Sequence, residues 1–195
     1  YVSCHDDLTL TDKLAKSMPG ATEAERQRAA RLAQTIVFTS QGTPFMFAGE
    51  EVFRDKKGVH NSYQSPDSIN AIDWTLKSVN AEQFDYYKEL IKLRKEHPAF
   101  RMTTAEDVAR NLKFDSTKQP NLISYSLKNH ANGDKWKEIK LVFNGNATPV
   151  ELNIPKGNWT VIARDGKINA EGMGTIKGGK LTVEPTSALI LALPE

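Results

Sequence analysis

The chain has 195 residues, which is enough for one large domain or two small ones. With 39% hydrophobic and 26% charged residues, its composition is that of an ordinary globular protein and excludes fibrous and disordered classes. Lys plus Arg total 26 and Asp plus Glu total 24, so the net charge of +2 gives no field that would favour nucleic acid as a partner.

The ends of the chain and its targeting signals do not determine the cellular compartment. No run approaches the roughly 20 apolar residues that a membrane span requires, and no signal-peptide pattern opens the chain. Cys4 is the only cysteine, which excludes an internal disulfide and says little about the redox compartment. The location stays unknown, with a secreted or periplasmic one slightly favoured over a cytoplasmic one. Because the chain begins at Tyr1 with a short apolar run that needs neighbouring strands, we expect that upstream sequence has been removed.

The first half of the chain predicts alternating strands and helices. Residues 1–4 and 44–48 are short apolar runs, typical of strands that are covered on both faces. Between them, the Thr-x-x-Glu motif at residues 22–25 predicts the start of a helix that ends near Gly42. A second helix is predicted over residues 83–96. This order of elements is typical of a parallel sheet.

The segment between the second strand and the second helix predicts a long loop. Residues 54–74 show no hydrophobic period and are rich in Asn, Ser, Asp, Lys and Gly. Loops of this length inside compact domains are usually functional, which makes this segment a candidate for a binding site.

Beyond Phe100 the pattern changes to short alternating runs, which predict strands over residues 122–127, 139–143, 150–154, 159–163 and 188–193. Turn signals lie between the runs, and we predict turns at Asn144-Gly145, Lys156-Gly157, Asp165-Gly166 and Gly178-Gly179. The last pair suits a two-residue hairpin. We therefore predict an antiparallel β-sandwich, with the boundary between the two parts near residues 98–102.

Ionisable residues follow the first apolar run directly. His5, Asp6 and Asp7 would lie at the carboxyl end of a strand, where (β/α) barrels build their active sites. The alternative is that an aspartate caps the next turn and His5 is an ordinary loop histidine. A metal-binding His-Asp pair of the phosphohydrolase type would need further ligands at suitable spacing, whereas the histidines of this chain are scattered.

A second polar group follows the second apolar run. Glu50 and Arg54 would lie at the same rim, where they either bind a polar ligand or form an ion pair that shapes the loop. The loop that follows supplies Asn61, Tyr63 and Trp74, a mixture of amide and aromatic groups that suits the hydroxyls and ring faces of sugars. Turn-forming residues in a solvated loop remain the alternative.

Three segments together resemble the type I pullulanases, the debranching members of the α-amylase superfamily (glycoside hydrolase family thirteen). They are residues 1–10, 42–51 and 61–74. The first is similar to the fourth conserved region of the superfamily, and it contains Asp7 where the family usually has Asn. The third is the most specific, because its Asn-Ser-Tyr and Asp-x-Ile-Asn-x-Ile-Asp-Trp strings are similar to the pullulanase subgroup.

The resemblance implies a fold of class α/β plus all-β. Residues 1–99 would be the C-terminal part of a catalytic (β/α)8 TIM barrel, with residues 1–6 as the seventh strand, 44–48 as the eighth and 83–96 as the closing helix. Residues 100–195 would be the C-terminal antiparallel β-sandwich of the family. We expect Trp136 and Trp159 to pack in its core rather than to stack on sugars.

The resemblance also implies the roles of the site residues. Asp6 would be the third active-site carboxylate, which stabilises the transition state, and the substrate-binding residues would be His5, Glu50, Arg54, Asn61 and Tyr63. No metal ligand set or cofactor is implied. Calcium is common in the superfamily, but no ligand loop for it is visible in this sequence.

The implied function is that of a retaining glycoside hydrolase which cleaves α-1,6 branch linkages in pullulan, starch or glycogen-type glucans. The nucleophile Asp and the acid/base Glu of such enzymes come from earlier barrel strands, so we expect the chain alone to be inactive. The alternatives are an α-1,4-acting amylase-type hydrolase and a non-catalytic glycan-binding module. Exposed barrel edges would also allow self-association.

Overall fold

A computed structural model of the chain describes residues 1–194. Helices occupy the first part: α1 Leu10–Ser17, α2 Glu23–Thr39, α3 Asp67–Asn70, α4 Leu76–Val79, α5 Ala81–Glu96 and α6 Ala105–Asn111. Short 3-10 helices lie at Glu50–Val52, Pro98–Arg101 and Ala131–Gly133. Among the described residues, none of the helices combines the length and the apolar character that crossing a bilayer requires.

Capping boxes begin both of the first two helices. Thr22 accepts a hydrogen bond from the Glu25 backbone and the Glu25 side chain bonds back to the Thr22 backbone, as the motif predicted. The helix ends at Thr39 and is capped by Ser40, slightly before the predicted end near Gly42. Thr9 and Asp12 form the same box at the start of α1, a helix that the sequence pattern did not predict.

The two predicted strands of the first half are not hydrogen-bonded strands in the described chain. Residues 1–4 and 44–48 nevertheless lie close together, since the ring centroids of Tyr1 and Phe45 are 5.9 Å apart. A parallel strand needs a ladder of backbone bonds to its neighbours, and no such ladder forms between these two segments. The strand prediction was therefore wrong here, because an apolar run indicates burial but does not supply a pairing partner.

Helix α5 extends the prediction by two residues at its start and ends before His97, as expected. Tyr87 and Leu90 are buried, whereas Ile91 is exposed. The buried face instead continues through Leu93 and Arg94, whose guanidinium donates to the carbonyl oxygens that end α2, among them Phe38 at 2.8 Å. This cation satisfies carbonyls that α2 cannot satisfy itself.

The second part is a seven-stranded antiparallel sheet. Its strands are β1 Leu112–Phe114, β2 Leu122–Leu127, β3 Glu138–Asn144, β4 Val150–Arg164, β5 Lys167–Ile168, β6 Thr175–Val183 and β7 Ser187–Leu193. The hydrogen-bonded order is β1-β2-β3-β7-β4-β5, and β6 pairs with β4. The antiparallel pairing was predicted correctly. Because β4 pairs with both β6 and β7, hydrogen bonds link all seven strands.

Two predicted turns lie inside strands. Lys156-Gly157 is part of β4, which runs without a break for 15 residues, and Gly178-Gly179 is part of β6. The register between the two strands shifts between Ile154 and Asn158, which marks a bulge. A Cβ at Gly178 would lie 1.8 Å from the Pro155 carbonyl oxygen, so the glycine permits the bulged strand to approach.

Replacing Gly178 tests this close approach. We expect Gly178→Ala to destabilise the protein by about 2 kcal/mol or more, because the backbone of β4 or β6 must move. The measurement is the free energy of unfolding in urea. Gly20→Ala is the matched control, since a Cβ there meets no atom within 4 Å. Equal effects of the two substitutions would contradict the packing argument.

Two apolar clusters stabilise the sheet. One lies between strands β2, β3, β4, β6 and β7 and includes Trp159, which is fully buried. The other joins the sheet to the helices and includes Leu32, Leu93 and Phe100 together with Trp136. Both tryptophans therefore pack in the core, as predicted. The helical part and the sheet share one buried cluster.

A buried histidine–aspartate pair lies at this junction. The imidazole Nδ1 of His97, at the end of α5, is 3.0 Å from a carboxylate oxygen of Asp134, and both side chains are fully buried. The ring of His97 also stacks on Trp136, with centroids 3.4 Å apart. The end of the helical part is therefore held to the loop between β2 and β3 by polar and aromatic contacts at once.

Candidate functional site

The structure brings most of the predicted site residues to one cleft. A cavity of about 340 Å³ is lined by His5, Asp6, Arg54, Asn61 and Tyr63. The other lining residues are Phe47, Lys56, His60, Ser62 and Asn70. A larger hollow of about 590 Å³ lies between α1, α2 and residues 53–80, but of the predicted site residues only Arg54 reaches it. The smaller cleft is therefore the candidate functional site.

His5 and Asp6 project from one side of the cleft into solvent. Their side chains are 79% and 84% exposed, and His5 Nδ1 is 3.2 Å from an Asp6 carboxylate oxygen. An exposed carboxylate beside an imidazole can accept hydrogen bonds from hydroxyl groups of a ligand while the imidazole donates or accepts another. The pair is free to contact a polar ligand at the mouth of the cleft.

Arg54 forms part of the wall, and its guanidinium is engaged within the protein. The Nη1 atom donates to the Ala48 carbonyl at 3.2 Å, and Nη2 donates to the Asn70 carbonyl at 2.5 Å. The guanidinium also lies 5.0 Å from the Phe47 ring centroid. Because the side chain is buried and bonded on two sides, its function here is to fix the loop that forms the cleft.

Asn61 and Tyr63 are exposed on the opposite side of the cleft. The intervening Ser62 is buried, and its carbonyl accepts a 2.6 Å hydrogen bond from the Asn70 side-chain amide. Asn70 also donates to the Ser65 carbonyl at 2.8 Å. This anchoring holds the backbone of the loop, so an amide and an aromatic ring that is 76% exposed face outward together.

Glu50 does not line the cleft, which corrects its predicted substrate contact. Its side chain is 4% exposed and accepts hydrogen bonds from the Ser3 hydroxyl and the Gln34 amide. Burial raises the pKa of Glu50 despite these hydrogen bonds. Glu50 thus joins the first segment of the chain to α2 from inside the protein.

The raised pKa of Glu50 predicts a pH effect on stability. Protonation of this carboxyl favours the folded state, so its contribution is full below the unfolded pKa of about 4.3 and is lost as pH rises through the folded value. The side chain in Glu50→Gln stays neutral, so we expect the stability of this variant to fall less than that of the wild type as the pH rises. Thermal unfolding between pH 4 and 8 measures it. Glu184→Gln, at an exposed position, is the control, and an identical pH dependence in both variants would contradict the prediction.

Two residues that shape the site were missed. The carboxylate of Asp12 accepts 2.9 Å hydrogen bonds from the backbone N–H groups of Lys56 and Gly58, which ties the loop to α1. The Thr-x-x-Asp pattern at Thr9 could have revealed this residue. The ammonium of Lys56 is 3.2 Å from the Ser62 hydroxyl, and the side chain is 1% exposed. No sequence signal distinguishes Lys56 from its neighbour Lys57.

Comparison with known proteins shows that the chain is similar to pullulanases. A family model described as "Pullulanase, all-beta domain" matches residues 108–167. The pullulanase of Bacillus subtilis strain 168 is 40% identical over 155 residues, which is 80% of this chain and 21% of that relative. The chain thus spans about a fifth of that relative's length.

Solved structures extend the similarity to the fold. A pullulanase from Bacillus acidopullulyticus matches 98% of the chain with a TM-score of 0.94 and 44% identity, and the match covers 24% of that protein. The type I pullulanase of Bacillus subtilis strain 168, complexed with maltose, matches 100% of the chain with a TM-score of 0.93 and 35% identity, over 27% of its own length. The resemblance to the C-terminal part of type I pullulanases is therefore confirmed.

Proposed function

We propose that this chain, which resembles the C-terminal part of type I pullulanases over its whole length, belongs to a retaining glycoside hydrolase that cleaves α-1,6-glucosidic branch linkages. The substrates would be glucans of the pullulan, starch or glycogen type. The observation that carries the proposal is the cleft. It presents His5 and Asp6 on one side and Asn61 and Tyr63 on the other, in a chain whose related structure holds maltose.

The groups that line the cleft suit a neutral sugar. Hydroxyls of a glucosyl ring can donate to the Asp6 carboxylate and to the Asn61 amide oxygen, while the Tyr63 ring offers an apolar face. In the proposed mechanism Asp6 stabilises the oxocarbenium-like transition state by accepting hydrogen bonds from ring hydroxyls, which strengthen as positive charge develops. His5 assists by bonding to the same sugar.

The proposed chemistry requires two further carboxyl groups. A retaining glycosidase places a nucleophile and an acid/base about 5–5.5 Å apart, one attacking the anomeric carbon and the other protonating the leaving oxygen. We propose that both come from the part of the enzyme that this chain does not span. The chain alone would then show no measurable hydrolysis, because Asp6 acts only within a preorganised constellation.

The proposed architecture places residues 1–99 in the C-terminal part of a (β/α)8 barrel and residues 100–195 in a β-sandwich domain. The closeness of residues 1–4 and 44–48 supports the first assignment, since neighbouring barrel strands would bring these segments together. The antiparallel sheet and its interior apolar cluster support the second. The cluster shared by Leu93, Phe100 and Trp136 supports a tight interface at the boundary.

Product analysis tests the function. The complete enzyme is incubated with pullulan, and maltotriose as the main product would support α-1,6 cleavage. Panose or isopanose would instead indicate an α-1,4-acting enzyme. If the complete protein turns over no glucan but this chain alone binds maltooligosaccharides strongly, a glycan-binding module is the better description.

A further inference from the structure

A polar bridge connects the two sides of the candidate cleft. The Nδ1 atom of His60 is 2.6 Å from a carboxylate oxygen of Asp7, and the His60 Nε2 atom is 3.2 Å from the Lys16 ammonium. Asp7 directly follows Asp6, and His60 directly precedes Asn61. The bridge therefore joins the segment that carries His5 and Asp6 to the loop that carries Asn61 and Tyr63.

The partners of His60 fix the position of its proton. An ammonium group can only donate hydrogen bonds, so Nε2 must accept from Lys16 and the ring proton lies on Nδ1. Nδ1–H then donates to Asp7. The backbone N–H of Leu8 and the bond from His60 lower the pKa of the Asp7 carboxyl, which keeps it an acceptor. The bridge thus runs from the Lys16 ammonium through the His60 imidazole to the Asp7 carboxylate.

The backbone conformation at Asp7 limits which residues suit this position. Asp7 has a φ of 62°, in the left-handed region that only Gly, Asn and Asp adopt readily. Within the loop, Gly58 is held by Asp12 and Ser62 is held by Asn70, but His60 lies between these anchors. The Lys56 ammonium approaches the His60 carbonyl at 3.5 Å from within the loop, and the Asp7 contact links the His60 side chain to the segment that carries His5 and Asp6.

We propose that the Asp7–His60 bridge holds the two segments at a fixed separation. This separation sets the width of the cleft and so positions Asn61 and Tyr63 for a glucan chain. The proposal rests on the proposed function. Asp7 and His60 are positioning residues, since they act through their neighbours on each side. The Asp7–His60 bridge would strengthen binding of the substrate without taking part in bond cleavage.

Two substitutions at Asp7 distinguish the effect of its side-chain contact from the effect of its backbone conformation. Asp7→Asn keeps an oxygen that accepts from Nδ1–H, and Asp7→Gly removes it, while both residues accept the left-handed backbone. In the complete enzyme acting on pullulan, we expect Asp7→Gly to raise KM by about threefold to fivefold, as for the loss of one exposed charged contact. The kcat should stay within about twofold, because the contact is made equally in the ground and transition states. Asp7→Asn should restore KM to near the wild-type value.

Hydrogen exchange of the same variants, without substrate, gives a readout that is independent of activity. Peptides covering residues 57–64 should exchange faster in Asp7→Gly than in Asp7→Asn. Equal exchange, or equal KM values for the two variants, would contradict the role proposed for the Asp7–His60 bridge. If exchange differs as expected but the wild-type enzyme does not hydrolyse pullulan, the proposed function fails. The conclusion that the bridge orders the loop would still hold.

Discussion

Asp6→Asn in the complete enzyme is expected to lower kcat on pullulan by about 10³-fold, the size of effect seen when one group that stabilises a transition state is removed. The carboxylate accepts hydrogen bonds through charged oxygens, and the amide keeps only one neutral acceptor. Because the interaction would strengthen in the transition state, KM should change much less than kcat. Steady-state kinetics on pullulan measure both constants.

The position of Asp6 keeps this experiment free of folding effects. Its side chain is 84% exposed in this chain, so an isosteric amide should leave the melting temperature of the chain unchanged. Asp85→Asn is a matched control, since Asp85 is an exposed aspartate on α5 that does not line the cleft. Turnover near the wild-type value in Asp6→Asn would remove Asp6 from the active site.

Local sequence signals predicted the parts of this fold that local interactions decide. The capping box at Thr22 is satisfied by neighbouring residues and was predicted correctly, and β2 has the predicted bounds although its residues from Ser124 to Leu127 are all buried rather than alternating. The equivalent box at Thr9 was missed because Asp12 stands where Glu or Gln is usual. The same carboxylate also holds the cleft loop, which is a long-range contact that no local pattern encodes.

Long-range contacts decided the elements that were predicted wrongly. The Lys156-Gly157 pair in the middle of β4 suggested a turn, but Gly178 in β6 leaves room for a bulge and the strand continues. At the site, both Asp6 and Glu50 come just after an apolar run, yet Asp6 faces solvent and Glu50 faces Gln34. Sequence places a residue near a rim, but the direction of its side chain depends on packing against distant segments.

The buried pair at the junction gives the second large expected effect. Asp134→Ala should destabilise the chain by about 3–5 kcal/mol, because it leaves a buried imidazole and two backbone N–H groups without an acceptor. Those N–H groups belong to Ala99 and Trp136, which donate to Asp134 at 3.2 and 2.9 Å. The melting temperature should fall by roughly 10 °C or more. Differential scanning calorimetry measures it, with Asp165→Asn in an exposed turn as the control.

The pH dependence of this effect follows from the environment of Asp134. Burial alone would raise its pKa, but the hydrogen bond from His97 and those from the backbone outweigh burial and hold the pKa below its usual value. A carboxyl with a lowered folded pKa contributes stability that is full above the unfolded pKa of about 3.9 and is lost as pH falls through the folded value. The difference in melting temperature between wild type and Asp134→Asn should therefore be constant near neutral pH and shrink below about pH 4. A difference that persists unchanged into that acid range would mean that the carboxylate charge does not stabilise the junction, and that shape and stacking on Trp136 hold the helices to the sheet.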